Sequence, residues 1–276
     1  MLLALALLVS PFTADAQAMK ETPYAIERTL ASSITAPDGH AYRIFASWPD
    51  GVPPATGWPV LYLLDGADHF ATATETARRL ARAGRRSGIV PGVIIGIDSG
   101  PLARRVLDYT PAAPGWAIPK GAPASGLPTG GGEAFLTFLD RQLRPWVAAR
   151  WSVDPRRQTL AGHSFGGLIA LHAMLTRPGL FARYAAISPS LWYGDGLIAR
   201  EAKGAHVQGA HALIAIGTEE RGPSAQPDSA AEALVKILSE HGADVRFLPL
   251  EGQGHGTTML VATADILALA FGEERP

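Results

Sequence analysis

The sequence contains no cysteine among its 276 residues. This absence excludes a thiol nucleophile, disulfide bonds and a cysteine-ligated zinc site, and it is compatible with any redox compartment. The formal net charge is only -1, so the chain lacks the basic excess of nucleic-acid-binding proteins. Charged residues make up 18% of the chain and hydrophobic residues 47%, which excludes the disordered class and predicts a globular core.

The apolar run at the N-terminus, residues 2–9, is too short to span a bilayer. A Ser-Pro break follows it, and then the stretch ADAQA at residues 14–18, in which two overlapping A-x-A triplets fit a signal-peptidase site. We therefore predict that residues 1–18 are a signal peptide and that the mature protein is periplasmic or secreted. No Lys or Arg precedes the apolar run, so either the true start lies upstream of Met1 or this run is instead a buried N-terminal strand.

Strand patterns in the first third of the chain predict a sheet. Residues 25–34 and 41–48 alternate as the strands of an edge hairpin or meander do. Residues 59–64 and 92–97 are continuous apolar runs, which are typical of strands buried on both faces of a sheet. Between them, residues 70–83 have helical apolar spacing, and this strand–helix–strand order predicts a right-handed parallel crossover.

The rest of the chain continues the alternation. Residues 111–132 are rich in Pro and Gly and predict a long loop that is a lid, a binding loop or disordered. The elements predicted after it are a helix at 133–150, strands at 158–161, 184–187 and 212–216, a helix at 230–241, a strand at 244–249 and a helix from 257. Together the patterns predict one α/β domain over residues 19–276, with a mostly parallel sheet covered by helices on both faces.

The stretch GHSFG at residues 162–166 lies between a predicted strand and an apolar helix, where it fits the G-x-S-x-G nucleophile elbow. In that motif a tight strand-to-helix turn exposes the serine hydroxyl. We expect the glycines at both ends because a Cβ there would collide with the neighbouring strand or helix. Ser164 is therefore the candidate nucleophile.

A serine hydroxyl needs a base, and the chain offers eight histidines. In α/β-hydrolases the partners follow in the order Ser, acid, His. We predict His255 as the base because it lies just beyond the last predicted strand, between Gly254 and Gly256, which leave the loop free to aim the imidazole. A helix N-cap or a solvated loop histidine is the alternative. His163 adjoins Ser164 but is expected to point to the opposite side of the turn, either packing in the core or supporting the catalytic residues indirectly.

The acidic partner should follow the strand at 212–216, where the sequence reads GTEER. A carboxylate there would fix the tautomer of the base and stabilise its protonated form. We predict Glu220, with Glu219 and Asp228 as alternatives. A further alternative is a Ser–His dyad, in which this stretch is only a charged loop.

Two backbone amides are expected to form an oxyanion hole. One is the amide of Phe165, directly after the candidate nucleophile. The other should come from the loop after the strand at 59–64, which gives Gly66 or Ala67.

Several motifs together resemble the putative-esterase (esterase D-like) branch of the α/β-hydrolases: VLYLLDG, RVLDYTP, GHSFGG, ISPSLWY and a late G-x-G-H. Within that branch the chain is most similar to the periplasmic trilactone esterases that open catecholate siderophores such as enterobactin and salmochelin. The resemblance runs from about residue 25 to the C-terminal helix. It implies Ser164 as nucleophile, His255 as base, a hydrolase domain without a large cap, and no cofactor. Some members of the branch work without a well-placed acid, so Glu220 stays open.

Three residues are predicted to contact the substrate. Arg105 and Tyr109 follow the strand at 92–97, and Trp192 lies in ISPSLWY. An arginine at the carboxyl edge of the sheet would face an anionic catecholate–iron group, whereas a structural pair of Arg105 with Asp108 is the alternative. Trp192 would offer an aromatic wall, and a core position is the alternative.

The predicted function is ester hydrolysis through a serine acyl-enzyme, with trilactone siderophores, ferric ones included, as the substrate. The alternatives are a general aryl, feruloyl or acyl esterase, an acyltransferase that uses the same acyl-enzyme, and a non-catalytic binding protein on the same scaffold. We expect a small-molecule ester as partner, no nucleic acid, no membrane span and no metal, and a monomer or weak dimer.

Overall fold

Eight strands form one sheet in the computed structural model, which describes residues 23–122, 124–220 and 227–273. The signal peptide predicted for residues 1–18 lies outside these ranges. The strands are β1 (Thr29–Thr35), β2 (Ala41–Ser47), β3 (Trp58–Leu64), β4 (Val93–Asp98), β5 (Val153–His163), β6 (Arg183–Ile187), β7 (His211–Gly217) and β8 (Asp244–Leu250). Their order is β1-β2-β4-β3-β5-β6-β7-β8, with β3 to β8 mutually parallel and the hairpin β1–β2 antiparallel at one edge.

Helices cover both faces of this sheet. They are α1 (Gly66–Arg82), α2 (Leu102–Asp108), α3 (Gly132–Phe138), α4 (Arg144–Ala148), α5 (Phe165–Thr176), α6 (Leu197–Ala202), α7 (Pro227–Glu240), α8 (Thr258–Val261) and α9 (Thr263–Phe271). The apolar residues of α1 and α9 pack on one face, and those of α2 to α7 pack on the other. The predicted fold, an α/β-hydrolase with a mostly parallel sheet, is confirmed.

The central strand β3 explains why the sequence there is apolar without interruption. All of its residues are buried. Val60, Tyr62 and Leu64 belong to the core on one face, and Leu61 and Leu63 belong to the core on the other. Because successive side chains point to opposite faces, a strand between two helical layers needs apolar residues at every position.

Several element boundaries differ from the sequence-based prediction. Helix α1 begins at Gly66 rather than at residue 70, directly after β3. The helix predicted over 133–150 is divided by a π-helical segment, Leu139–Leu143, just before Pro145. Proline has no N–H and its ring crowds the preceding turn, so regular α-helical pairing cannot continue there. The short helices α2 and α6 are not predicted at all.

The order of the strands places a crevice at the carboxyl end of β3 and β5. The chain passes from β3 to β4 on one side and then returns to place β5 on the other side of β3. In open α/β sheets, ligands bind outside the carboxyl ends of the strands at such a switch point. The residues that follow these two strands are Asp65 and Ser164.

The connections at this edge of the sheet include the long loop after α2 and the segment between β6 and β7. Within the described ranges, β6 and β7 are joined through α6 alone, and no cap domain is inserted between them. None of the helices in the part of the chain that the structure covers has both the length and the apolar character needed to cross a membrane.

Candidate active site

The turn between β5 and α5 has the strained geometry of a nucleophile elbow. Ser164 adopts φ 58° and ψ -118°, which is unusual for a residue with a side chain. A Cβ on Gly162 would lie 2.5 Å from the carbonyl carbon of Gly166, so this glycine is required. A Cβ on Gly166 would meet its neighbours at ordinary distances from 3.5 Å, whereas one on Gly167 would come within 3.1 Å of the next turn. Gly167, rather than Gly166, is therefore the second tightly packed glycine.

The structure brings Ser164, His255 and Glu220 together in one hydrogen-bonded chain. The Ser164 hydroxyl lies 3.1 Å from His255 Nε2. On the other side of the ring, His255 Nδ1 lies 2.9 Å from Glu220 Oε2. The imidazole is about half exposed, while the Glu220 side chain is 8% exposed. A base oriented by a buried carboxylate next to a hydroxyl is the arrangement that activates a serine for nucleophilic attack.

Glu220 remains ionised although it is nearly buried. Burial raises the pKa of its carboxyl group, but hydrogen bonds from His255, from the Ser188 hydroxyl and from the Gly217 amide outweigh burial, and the net pKa is below its ordinary value. Donors that face a carboxylate favour its charged form. The negative charge is thus available to stabilise a protonated imidazole.

The other acidic candidates are placed differently. The side chain of Glu219 is exposed, and its backbone amide donates to the carbonyl of Gln253 at 3.0 Å. The side chain of Asp228 lies outside the described residues. Among the side chains that are described, no group of three or more His, Asp or Glu is arranged to hold a metal ion.

His163 supports the backbone of the candidate base. Its Nε2–H donates to the carbonyl oxygen of His255 at 2.8 Å, and the two rings lie 4.6 Å apart. Burial, and secondly the neighbouring His255, lower the pKa of His163 to about 4, so this imidazole is neutral and keeps one N–H. His163 therefore supports the candidate base indirectly, which was one of its two expected roles, but its ring lies beside that of His255 and not on the opposite side of the turn.

A close approach between two loops positions His255. A Cβ on Gly217, at the end of β7, would overlap the carbonyl oxygen of Gln253, so only glycine lets the histidine loop come this near. Around Gly254 and Gly256, by contrast, a Cβ would meet nothing within 4 Å. The sequence signal for the histidine loop is thus the glycine at the end of β7, which the sequence analysis missed.

Three residues with unusual backbone conformations line the crevice. Asp65, Ser164 and Ser188 are the first residues after β3, β5 and β6, and their φ values are 55°, 58° and 45°. Side-chain-bearing residues rarely adopt positive φ, and such residues cluster at functional sites. Because three neighbouring strands of the sheet end in such residues, this edge is the candidate active-site edge.

Helix N-termini supply amides on two sides of Ser164. Helix α5 begins at Phe165 and α1 at Gly66, and the first amides of a helix have no acceptor within it. A Cβ on Gly66 would lie 2.6 Å from the backbone of Gly96 in β4, so glycine is required for this tight start. The amides of Phe165, Gly66 and Ala67, which the sequence predicts as oxyanion donors, are among those that have no acceptor within these helices.

Arg105 connects these two sides. It makes two hydrogen bonds to the carboxylate of Asp65, at 2.6 and 2.8 Å, and a longer one of 3.3 Å to the carbonyl of His163. The alternative pair with Asp108 is wrong, because that carboxylate pairs with Arg104 at 2.8 Å. About one fifth of the Arg105 side chain is exposed.

The two aromatic candidates differ in exposure. Tyr109 is fully buried, and its hydroxyl accepts a hydrogen bond from the amide of Asp65 at 3.3 Å. The prediction that Tyr109 contacts the substrate directly is therefore wrong, because no part of its side chain is exposed in the crevice. Trp192 is half-buried, with its ring 5.9 Å from Phe165 and 6.1 Å from Trp116. The long loop after α2 contributes Trp116, so an aromatic cluster borders the residue next to Ser164.

The chain is similar to several proteins of known sequence and structure. The family model described as "Putative esterase" matches residues 36–242. The ferri-bacillibactin esterase of Bacillus subtilis is 32% identical over 253 residues, which cover 87% of this chain and 88% of the relative. The siderophore enterobactin esterase of Emericella nidulans is 38% identical over 197 residues, covering 66% and 64%. The crystal structure of the BES protein from Bacillus cereus matches with a TM-score of 0.80 at 25% identity, covering 92% of this chain and 99% of that one.

Proposed function

We propose that this chain, which belongs to the putative esterase family and is a carboxylic-ester hydrolase, opens the trilactone ester bonds of catecholate siderophores of the enterobactin type, so that their iron is released. The observation that carries the proposal is the hydrogen-bonded chain from Ser164 through His255 to Glu220. The substrate class is supported by the similarity to esterases named for ferri-bacillibactin and for enterobactin.

In the proposed acylation step, the Ser164 oxygen attacks the carbonyl carbon of a lactone ester. His255 Nε2 takes the serine proton, and Glu220 stabilises the imidazolium through its contact with Nδ1. The carbonyl oxygen becomes an oxyanion, held by the amide of Phe165 and by that of Gly66 or Ala67. The intermediate then collapses, the ester bond breaks, and His255 returns the proton to the leaving alcohol.

In the proposed deacylation step, water replaces the alcohol. His255 accepts a proton from water as the water oxygen attacks the acyl carbon, and a second tetrahedral intermediate forms on Ser164. Its collapse releases a free carboxylic acid and returns the proton to the serine oxygen. Because a trilactone contains equivalent ester bonds, one active site of this kind acts on each of them in turn.

Two residues near Ser164, His255 and Glu220 are proposed to contact the siderophore. Trp192, half-buried and next to Phe165, would stack against an aromatic catechol ring. Arg105 would present its exposed edge to the anionic catecholate while its buried edge holds Asp65. Tyr109 would act indirectly, through its hydrogen bond to the Asp65 amide.

The experiment that tests the proposal is a substrate panel with purified protein. Trilactone siderophores with and without iron are compared with a feruloyl ester and a short nitrophenyl ester, and products are followed by liquid chromatography and mass spectrometry. We expect kcat/KM to be highest for a trilactone, and we expect Ser164→Ala to lower it by about 10⁴-fold or more. The matched control is Ser47→Ala, which removes a buried serine of strand β2, between β1 and β4, and should behave as wild type.

Other outcomes of this panel would assign a different activity. Cleavage of nitrophenyl or feruloyl esters alone would contradict the trilactone substrate and leave a general esterase. Transfer of the acyl group to an added alcohol in preference to water would indicate an acyltransferase. Full activity of the Ser164→Ala variant would contradict the serine mechanism itself.

The proposed location of the enzyme is the periplasm or the extracellular medium. It is supported by the apolar run and the A-x-A triplets of residues 1–18. Mass spectrometry of the mature N-terminus should find cleavage after Ala16 or Ala18, and an intact Met1 would contradict export.

A further inference from the structure

The turn Ser188-Pro189-Ser190 after β6 contacts both ends of the hydrogen-bonded chain. Ser188 donates to the acid Glu220, and Ser190 lies beside the nucleophile. We propose that Ser190 is a catalytic residue whose hydroxyl donates a hydrogen bond to Ser164 Oγ and stabilises the negative charge that this oxygen carries in the transition states. The inference rests on the proposed role of Ser164 and adds a donor that faces the nucleophile itself.

The backbone around Ser190 holds its side chain in place. Its amide donates to the carbonyl of Ser164 at 3.2 Å, and its own carbonyl accepts from the amide of Tyr193 at 3.1 Å. The residue is 4% exposed, and its Oγ lies 3.3 Å from Ser164 Oγ. This is longer than an ordinary O–H···O bond, but contacts in a ligand-free active site commonly tighten when substrate binds.

Counting hydrogens decides which serine donates. Ser164 has one hydroxyl hydrogen and directs it to His255 Nε2, so its oxygen can only accept from Ser190. Over the residues that the structure describes, Ser164 Oγ is the one hydrogen-bond partner of the Ser190 hydroxyl. Because this buried hydroxyl bonds to the candidate nucleophile and to no other described group, it does not stabilise the fold by linking two elements. Its contribution is therefore to the reaction at Ser164.

The charge on the Ser164 oxygen changes during both half-reactions. In acylation this oxygen gains negative charge as its proton moves to His255 and its bond to the carbonyl carbon forms. In deacylation the same bond breaks, and the oxygen leaves as it recovers the proton. Ser190 keeps its own hydrogen throughout. A preorganised donor lowers the barrier where charge develops, and this donor differs from the oxyanion amides because it faces Oγ rather than the carbonyl oxygen.

The test compares Ser190→Ala with wild type on a nitrophenyl ester and on an alkyl fluorophosphonate, which reacts with the nucleophilic serine. We expect kcat to fall about tenfold with KM changed less than about twofold, since one neutral hydrogen bond contributes roughly this much. The rate of inactivation by the fluorophosphonate should fall by a similar factor because it depends on the same oxygen. Thermal unfolding should show that the variant is folded at the assay temperature.

Ser47→Ala is the matched control. Ser47 is also 4% exposed, and its hydroxyl also makes one 3.3 Å contact, to Arg78 Nη2, but it lies on strand β2, between β1 and β4. Its removal should leave kcat and the inactivation rate unchanged. If Ser190→Ala matches this control, or if it changes KM alone, the proposed role of Ser190 is overturned.

Two further variants keep the outcomes distinct. If Ser190→Ala fails to fold, Ser190→Cys takes its place, since a thiol fills similar space but donates weakly; a wild-type inactivation rate for that variant would overturn the inference. Ser164→Ala is measured in the same series. If Ser164→Ala remains fully active, the proposed function fails. If Ser164→Ala loses activity while Ser190→Ala keeps the wild-type rates, only the proposed role of Ser190 is refuted.

Discussion

At the residue scale, the site depends on one carboxylate that stays charged while nearly buried. Three donors face Glu220, from His255, Ser188 and Gly217. Its neighbour Glu219 points its side chain to solvent. The two glutamates therefore offer a direct comparison between an oriented acid and a charged loop residue.

We predict that Glu220→Gln lowers kcat by roughly 10²- to 10⁴-fold, because an amide no longer stabilises the imidazolium or enforces the Nδ1–H tautomer of His255. Glu219→Gln is the control and should keep the wild-type kcat. Steady-state kinetics on a nitrophenyl ester measure both, and circular dichroism confirms folding. An unchanged kcat for Glu220→Gln would favour a Ser–His dyad.

The sequence is sufficient to predict the candidate nucleophile, base and acid, which the structure brings together, but not the residues that contact them. Ser164 and His255 follow from a local motif and from chain order, and Glu220 from its place after a strand. Ser188 and Ser190 contact them only through space, across neighbouring parallel strands, and no local pattern encodes such pairing. His163 adjoins Ser164 in the chain, but its bond to the carbonyl of His255 is likewise a contact through space. The Arg105–Asp108 pair was wrong for the same reason: helix α2 directs adjacent arginines to different carboxylates.

At the element scale, His172 joins three helices through two carboxylates. It lies on α5, the helix that follows the nucleophile elbow. Its Nε2 lies 3.0 Å from Glu133 on α3, and its Nδ1 lies 2.9 Å from Glu201 on α6. Arg177 also contacts Glu133. Burial lowers the pKa of His172, but the bonds to the two carboxylates outweigh it, and the net pKa is raised above the ordinary value of 6.5.

This raised pKa predicts a pH-dependent stability. A group with a higher pKa in the folded state contributes stability that is fully present below its unfolded pKa. We expect the difference in unfolding free energy between wild type and His172→Gln to be largest below pH 6.5 and to shrink as pH rises through the folded pKa. Urea unfolding across this range measures it. The exposed His206→Gln should show no such trend, and a difference that grows with pH would contradict the prediction.

Element types were predictable where the apolar pattern was strong, and boundaries were not. The strands β3 and β4 stand out as apolar runs because both faces of the sheet are covered. Helix α5 stands out because its residues 165–175 are all buried. The early start of α1 depends on a left-handed Asp65 and on the close approach of Gly66 to Gly96. The interruption before α4 depends on a single proline. Both depend on local geometry that averaged patterns do not resolve.

At the scale of the whole molecule, one sheet separates two apolar layers. The layer with α1 and α9 and the layer with α5 and α7 share the strands between them. We therefore expect that neither layer loses its packing while the other keeps its own. The site lies where this shared sheet ends, with residues from β3, β5, β6 and β7 within one crevice. Activity should therefore depend on the integrity of both layers.

We predict that both layers and the active site unfold in one transition. Leu63→Ala opens a cavity on the α1 side and Leu160→Ala one on the opposite side; both residues are at most 2% exposed. Each variant should lose about 2–5 kcal/mol of unfolding free energy. In urea, far-ultraviolet circular dichroism, tryptophan fluorescence and residual esterase activity should shift together in both variants. Because the two layers share one sheet, we expect all three signals to be lost together. A second transition, or one probe that shifts without the others, would show that residues 19–276 contain two independent folding units.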